Sequence, residues 1–595
     1  MHFRKKTMVL SKTLLLAHLA VTLGFLACQR ANKADLILKN GRVYSYTWSD
    51  PAADGTPAPD APFRDGTWVP DAEAIAIRAD KIIFVGNDAQ AESYASAGTR
   101  VLDMHGGTVL PGLVDSHVHI ANLGAKLERV DLTSARDEAE AVARVAARAA
   151  TVPDGEWIIG AGWDEGAWAD RYPDMQMLTE RVPNHPVFMQ SLHSFAAWGN
   201  RMAFEKAGIT AATPDPVGGE IRRDKKGNPT GLLLNRATNL LSGTISSASQ
   251  EEIEKRVLLG LGEMAKSGFV AVHEAGASAD LMAAFEQLDA AHKLPLRVYA
   301  MLSARDTLLL KSWRNRGPEI HDNGMLTTRA VKAFYDGALG SRGARLLTDY
   351  TDKPGYRGVS GDTYGFDRER VTEMMRAGFQ VCVYAIGDAG NRETLDFFDE
   401  VFTKYPETRR DRHRIEHAQV VHPDDFARFA QLGLTASMEP AHAVEDKAWA
   451  EQRLGPERIK GAYAWRTMRE SGVPLIFNSD LPGSDHNIFY GLHAAMTRRG
   501  KDKMPPQGWY PEQTLTAEEA IRAYSVWAAR AAFIENETGR LQPGMWADIS
   551  VLSLDPHNLT LRDAGTLLDG AVYLTVVGGR VIYGNLAAQP LTVKQ

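Results

Sequence analysis

Between about residues 109 and 530 the chain repeats one pattern eight times, a short apolar run with β character followed by a helical stretch. Strands separated by helices return to the same end of a sheet, so the pattern requires parallel pairing. Eight such units close into a TIM (β/α)8 barrel, an α/β fold. The apolar runs end near His119, His273, Met301, Asp336, Ala385, His417, Met438 and Asp480. A long insertion after the first strand, about residues 120–265, carries strand candidates of its own at 157–162 and 186–190.

The two chain ends share a different grammar. Residues 34–44 hold an apolar run, an Asn40-Gly41 turn signal and a second run; 74–78 with 81–86, and later 547–552 with 572–583, repeat it. These are hairpin signals. The expectation is one small β-sandwich domain built from residues 28–108 and 531–595, with the barrel domain at 109–530. The Pro-, Asp- and Gly-rich segment 49–71 reads as a loop on the sandwich surface.

At the start, Arg4, Lys5, Lys6 and Lys12 precede an apolar run over 14–27, which reads as a signal peptide covering residues 1–27. The run is too short for a membrane span, and it stops at Leu26-Ala27-Cys28, resembling a bacterial lipoprotein cleavage site. Cys28 then becomes the lipidated first residue of a periplasmic protein, and Gln29 after it favours the outer membrane of a Gram-negative bacterium. Ordinary cleavage nearby, with Cys28 discarded or left free, is the alternative. The lipid anchor is the only membrane contact expected. The second cysteine, Cys382, lies in an apolar run, so no disulfide framework exists and the residue reads as a small buried hydrophobe. A net charge of -7 without a long basic run argues against a nucleic-acid partner. The expected partner is a small-molecule substrate, and a homo-oligomer is compatible with the sequence.

The ends of the barrel strands carry the candidate chemistry. His117 and His119 stand one residue apart at the end of an apolar strand, so both imidazoles project from one face and can hold one divalent metal. Packed or hydrogen-bonded histidines are the plainer reading of that pair alone. Lys332 sits inside the apolar strand of VKAFYDGALGSRGA, where an unpaired ammonium is strongly disfavoured. Either it pairs with a buried carboxylate such as Asp336, or carbon dioxide carboxylates it and makes it an anionic bridging ligand. His417 in RHRIEHAQ and Asp480 in NSDLP close the sixth and eighth strands.

The order and spacing of these residues resemble the amidohydrolase superfamily, in its branch similar to N-substituted formamide deformylases, over about residues 35 to 585. The resemblance implies metal ligation by His117, His119, Lys332, His417 and Asp480, a zinc-type divalent metal, a carboxylated Lys332, and hydrolysis of an amide or related C–N bond. The chain departs from the pattern where the family has histidine in a phrase like His-Ala-Ile-Gly-Asp at strand five, because here Tyr384 stands in that place. Tyr384 is a weak phenolate ligand, a contact to substrate or oxyanion, or filler at the barrel mouth. One tightly held metal at His117, His119, Lys332 and Asp480 is therefore expected, with a weaker second position using Lys332, His417 and Tyr384.

Softer substrate-binding candidates are His193 in SLHSFAAWGN, Trp163 with Asp164 and Trp168 in GWDEGAW, and Arg342 beside Ser341, which either binds an anionic group or pins a loop. His273 and His442 are candidates for support around the site. The mechanism implied is metal-assisted hydrolysis, with Asp480 as the general base and then acid. A metal-dependent isomerase or lyase on the same scaffold is one alternative. A non-catalytic metal- or ligand-binding lipoprotein is the other, against which the retained Asp480 speaks.

Overall fold

In the computed structural model, residues 33–163, 172–191, 196–560 and 563–585 are described. Cys28 and residues 1–27, which the sequence reading takes as a signal peptide, lie outside them. Among the described residues, no helix is long and apolar enough to cross a membrane.

Eight parallel strands form the central sheet: Leu113–Val118, Phe269–Ala277, Arg297–Ser303, Leu326–Phe334, Gln380–Ala385, Arg414–His417, Thr435–Met438 and Leu475–Phe477. A parallel bridge from Val118 to Leu481 links the last strand region back to the first and closes the barrel. The strands are buried almost end to end, as expected where helices cover the outside of a parallel sheet. Such strands gain their stability from burial on both faces, which leaves polar side chains to their C-terminal ends.

Two further sheets form the sandwich. One has the order Lys81–Gly86, Ala74–Arg78, Leu36–Lys39, Arg100–Asp103; the other Arg42–Val43, Thr108–Pro111, Ile549–Leu552, Val572–Val577, Arg580–Gly584. Leu38, Ile75 and Ile77 from the first pack with Val109, Ile549, Val551 and Val576 from the second in one core. Two expectations are corrected here. Leu36–Lys39 and Arg42–Val43 are not a hairpin, since they belong to different sheets. Asn40 alone of the turn pair has a positive φ, 57°, and a Cβ on Gly41 would stand 2.8 Å from Val109 Cγ2. The glycine thus serves a close approach between strands, not a two-residue turn. Thr108–Pro111 also belongs to the sandwich, so the barrel begins at Leu113. Segment 49–71 is partly tied down: the Arg522 guanidinium donates to Asp50 and to the Trp48 and Ser49 carbonyls, and Phe63–Arg64 pairs with Thr67–Trp68.

Residues 121–260 form a compact unit of their own. Its six-stranded sheet includes Ile158–Trp163 paired in parallel with Val187–Ser191, which are the strand candidates read from the insertion. Glu138–Ala149, capped by Asp137 accepting the Glu140 N–H, packs Val142 and Val145 into the unit's core.

Candidate metal centre

The seam that closes the barrel is made by residues that carry the candidate chemistry. Asp480 donates its N–H to the His117 carbonyl at 3.0 Å, and His119 donates to the Leu481 carbonyl at 3.0 Å. Asp115 bolts the same seam by accepting the Ser479 N–H at 3.0 Å and the Ser479 hydroxyl at 2.6 Å. His417 and Asp480 have φ of 71° and 50°. Left-handed backbone at side-chain-bearing residues costs energy, persists only where its surroundings over-determine it, and clusters at functional sites.

Side chains from four strand ends converge at this mouth. Asp480 Oδ1 lies 3.6 Å from His117 Nε2 and 3.3 Å from His119 Nε2. Lys332 Nζ lies 3.0 Å from His117 Nε2, and the rings of His117 and His417 are 5.2 Å apart. Possible ligand atoms of His117, His119 and Asp480 all fall within 4.8 Å of one another. His117, Lys332 and His417 are buried, whereas the His119 and Asp480 side chains are 30% and 22% exposed, so the cluster opens to solvent on their side.

Buried carboxylates orient the imidazoles. Glu416 Oε2 stands 2.6 Å from His117 Nδ1, and Glu439 Oε2 stands 3.0 Å from His417 Nδ1. A carboxylate on one ring nitrogen fixes the tautomer and leaves the lone pair on the other for a metal. His417 Nε2 is buried with no hydrogen-bond partner. Such orphaned polar atoms are rare in a folded protein unless something fills the site. Two oriented imidazoles, a third imidazole on His119 and a carboxylate match the donor types that hold zinc-like cations.

The charges agree with that fit. Burial and the Lys332 ammonium push His117 down to about 4, overriding Glu416, so its ring is neutral near pH 7. Burial would raise Asp480, but His119, His117, His417 and His442 outweigh it and hold the carboxyl well below its usual range. Burial lowers Lys332, against the opposing pull of the Glu416 and Asp480 charges.

The family model described as the amidohydrolase family matches residues 100–583. The chain belongs to that family. The protein LONG AFTER FAR-RED 3 of Arabidopsis thaliana is 29% identical over 92% of either chain. An N-substituted formamide deformylase of Arthrobacter pascens is 26% identical over 86% of this chain and 95% of its own. The solved structure of an uncharacterised metal-dependent hydrolase of Pyrococcus furiosus superposes with a TM-score of 0.68 at 26% identity, covering 88% of this chain and all of the other. Membership makes this an enzyme acting on C–N bonds.

In this amidohydrolase the lysine on strand four does not pair with Asp336, the first of its two expected roles. Asp336 instead accepts the backbone N–H groups of Arg345, Ile386 and Gly387 at 2.8–2.9 Å. Lys332 contacts His117 and the face of Phe334, 4.6 Å from its centroid. Tyr384 meets the edge of His417, with ring centroids 4.3 Å apart. Burial, then the Asp336 and Asp480 charges, push its phenol well above the ordinary value, so it is a neutral hydrogen-bonding group.

For two substrate-binding candidates, Arg342 and Trp163, the structure gives the structural alternative, a pinned loop and a core residue. Arg342 grips Asp352 through Nε at 3.2 Å and Nη2 at 2.7 Å, and Asp352 also receives Arg453, so the arginine pins its loop. Trp163 is fully buried in the core of the 121–260 unit and donates its indole N–H to the Met189 carbonyl, leaving no face for a substrate. His193, Asp164 and Trp168 lie outside the described residues. His273 supports from beneath, with Nδ1 3.0 Å from Arg414 Nη1. Glu416 and Glu439 have no role in the sequence reading. Glu416 left a signal there, a carboxylate one residue before the strand-end His417 and two after Arg414, in a strand whose four residues are all buried.

Proposed function

We propose that this amidohydrolase is a lipid-anchored periplasmic enzyme that hydrolyses an amide or related C–N bond of a small molecule with the help of a zinc-type divalent cation. The observation that carries the reading is the convergence of His117, His119 and Asp480 on one point beside Lys332 and His417. A cation bound there supplies Lewis-acid polarisation of a carbonyl and lowers the pKa of water.

The protein's own groups do the rest. His117 and His119 would hold the cation through Nε2, the neutral His117 ring being fixed by Glu416. Lys332 joins them as its N-carboxylate, in which the neutral amine adds to carbon dioxide, an N–C bond forms and one proton leaves. The product is an anion where an ammonium would repel a cation. Asp480 takes the proton of the attacking water and returns it to the departing nitrogen, the dual use of one carboxylate that amide hydrolysis requires. Neutral Tyr384, beside His417, donates a hydrogen bond to the substrate or to the developing oxyanion.

The name of the Arthrobacter pascens relative makes formamides the first substrates to try. The anchor is supported by the basic start, the apolar run over 14–27 and Cys28. The test is to load the purified mature protein with zinc and screen N-acyl amino acids, dipeptides, formamides, ureas and lactams in water enriched in oxygen-18. C–N cleavage with label in the carboxyl product is expected. An isomerised or eliminated product without label would reject hydrolysis.

A further inference from the structure

One imidazole in the mouth is not among the metal ligands that the resemblance implies. His442 lies on the helix Pro440–Asp446 that follows strand seven, three residues after Glu439. The i, i+3 spacing brings both to one side of the helix start. Glu439 Oε2 is 3.0 Å from His417 Nδ1 and 3.6 Å from His442 Nδ1, so a single buried carboxylate faces the same ring nitrogen of both residues. Their rings lie parallel within 2° at 6.0 Å. On the opposite edge His442 Nε2 faces Asp480 Oδ2 at 4.0 Å, while the other Asp480 oxygen faces His117 and His119. His417 Nε2 is buried and unpartnered, as noted above.

We infer that this chain has a second divalent-cation position held by His417, His442 and Asp480, with Asp480 bridging to the first, and that Tyr384 is not among its ligands. The inference rests on the metal-dependent reading and deepens it. Ligand atoms of the three residues lie within 4.8 Å of one another. Tetrahedral ligands about 2.1 Å from a zinc ion stand about 3.4 Å apart. The His442 to Asp480 gap has to close by well under 1 Å to meet that. His442 thereby replaces the strand-five histidine whose place Tyr384 occupies, entering from the helix after strand seven. A borderline transition cation such as zinc or cobalt(II) suits two imidazoles and a carboxylate. Glu439 is the positioning residue, since it fixes both rings with Nε2 free.

The test uses the full mature protein, stripped with chelator and titrated with zinc or cobalt(II) in bicarbonate buffer, with bound metal counted by mass spectrometry. Two equivalents are expected in the unmodified protein and in Tyr384→Phe. One is expected in His442→Ala and His442→Asn, along with loss of part of the cobalt absorption spectrum. Glu439→Gln is expected to weaken the second equivalent about 10- to 100-fold. Retention of the first equivalent shows that a variant is folded at the barrel mouth. If both His442 variants keep two metals, or Tyr384→Phe drops to one, the inference is overturned. One equivalent in the unmodified protein also overturns it while leaving the hydrolase reading intact; no bound metal at all removes both.

Discussion

Replacing Glu416 by glutamine tests whether the metal mouth and the barrel interior share one electrostatic support. Glu416 is fully buried, with Oε1 2.7 Å from Arg414 Nε and Oε2 2.6 Å from His117 Nδ1. Burial opposes its ionisation, but the Arg414 charge and then His117 overcome that and hold it well below the usual carboxylate range. Glutamine keeps the shape and still accepts the His117 N–H, yet removes the counter-charge of a buried guanidinium. Arg414 retains only neutral partners: His273 Nδ1, the Ser116 carbonyl and the Ser437 hydroxyl. Stripping one member from a buried pair costs about 3–5 kcal/mol, and the neutral partners place this case near the lower end. About 3 kcal/mol is a factor of roughly 150 in the unfolding equilibrium. Glu416→Ala also frees the His117 ring, so its metal affinity should fall about 10- to 100-fold, with a smaller fall for glutamine. Urea unfolding of the metal-free forms and chelator competition of the loaded forms separate the two effects. Stability of Glu416→Gln within about 1 kcal/mol of the unmodified protein, or unchanged affinity in Glu416→Ala, would refute the reasoning.

Asp480→Asn keeps a hydrogen-bonding group but cannot take a proton, so turnover on any substrate found is expected to fall about 10²- to 10⁴-fold; a fall below threefold in the metal-loaded variant would remove Asp480 as base. Carbon-13 bicarbonate should give a carbamate signal in the loaded protein that is missing from Lys332→Ala, and its absence from the unmodified protein would count against carboxylation. Asp555 accepts from Tyr44 at 2.8 Å and lies 2.9 Å from His557 Nδ1. Burial would raise it, but His557 and Tyr44 prevail and lower it. Its folded pKa lies below the unfolded value of about 3.9, so its stabilisation is present above that value and lost as pH falls through the folded pKa. Asp555→Asn should therefore flatten the acid limb of a urea-midpoint profile, and an unchanged slope would exclude the linkage. Intact-mass analysis of membrane-extracted protein should find an acylated N-terminus at Cys28; any other mature start would remove the anchor.

Much of the barrel is written in local pattern. Most strands are apolar runs that end where polar side chains meet the open mouth, so the ends read near His119 and Ala385 match the strands Leu113–Val118 and Gln380–Ala385, while Arg414–His417, with Ile415 its one apolar residue, is legible through its terminal histidine. Lys332 is legible because an ammonium in such a run demands an explanation. What local pattern does not carry is which elements become neighbours. Glu439 orients His417 across 22 residues and Glu416 orients His117 across 299, pairings created only by closure of the barrel. The Asn40-Gly41 hairpin misleads for the same reason, since Arg42–Val43 pairs instead with residues more than sixty positions away. Trp163 and Arg342 each look available in sequence, but one is consumed by a core and the other by an ion pair.

The sandwich draws on both extremities of the chain, and this sets a timetable for synthesis. Thr108–Pro111 can find its partner Ile549–Leu552 only after roughly 440 intervening residues have been made. At about 5–20 residues per second the early strands wait some 20 to 90 seconds with Val43 and Val109 lacking the cover that the late strands provide. A chain cut short anywhere before Ile549 keeps the same apolar face open indefinitely, so the last strands to be synthesised act as a proofreading mark by which a finished molecule differs from a truncated one.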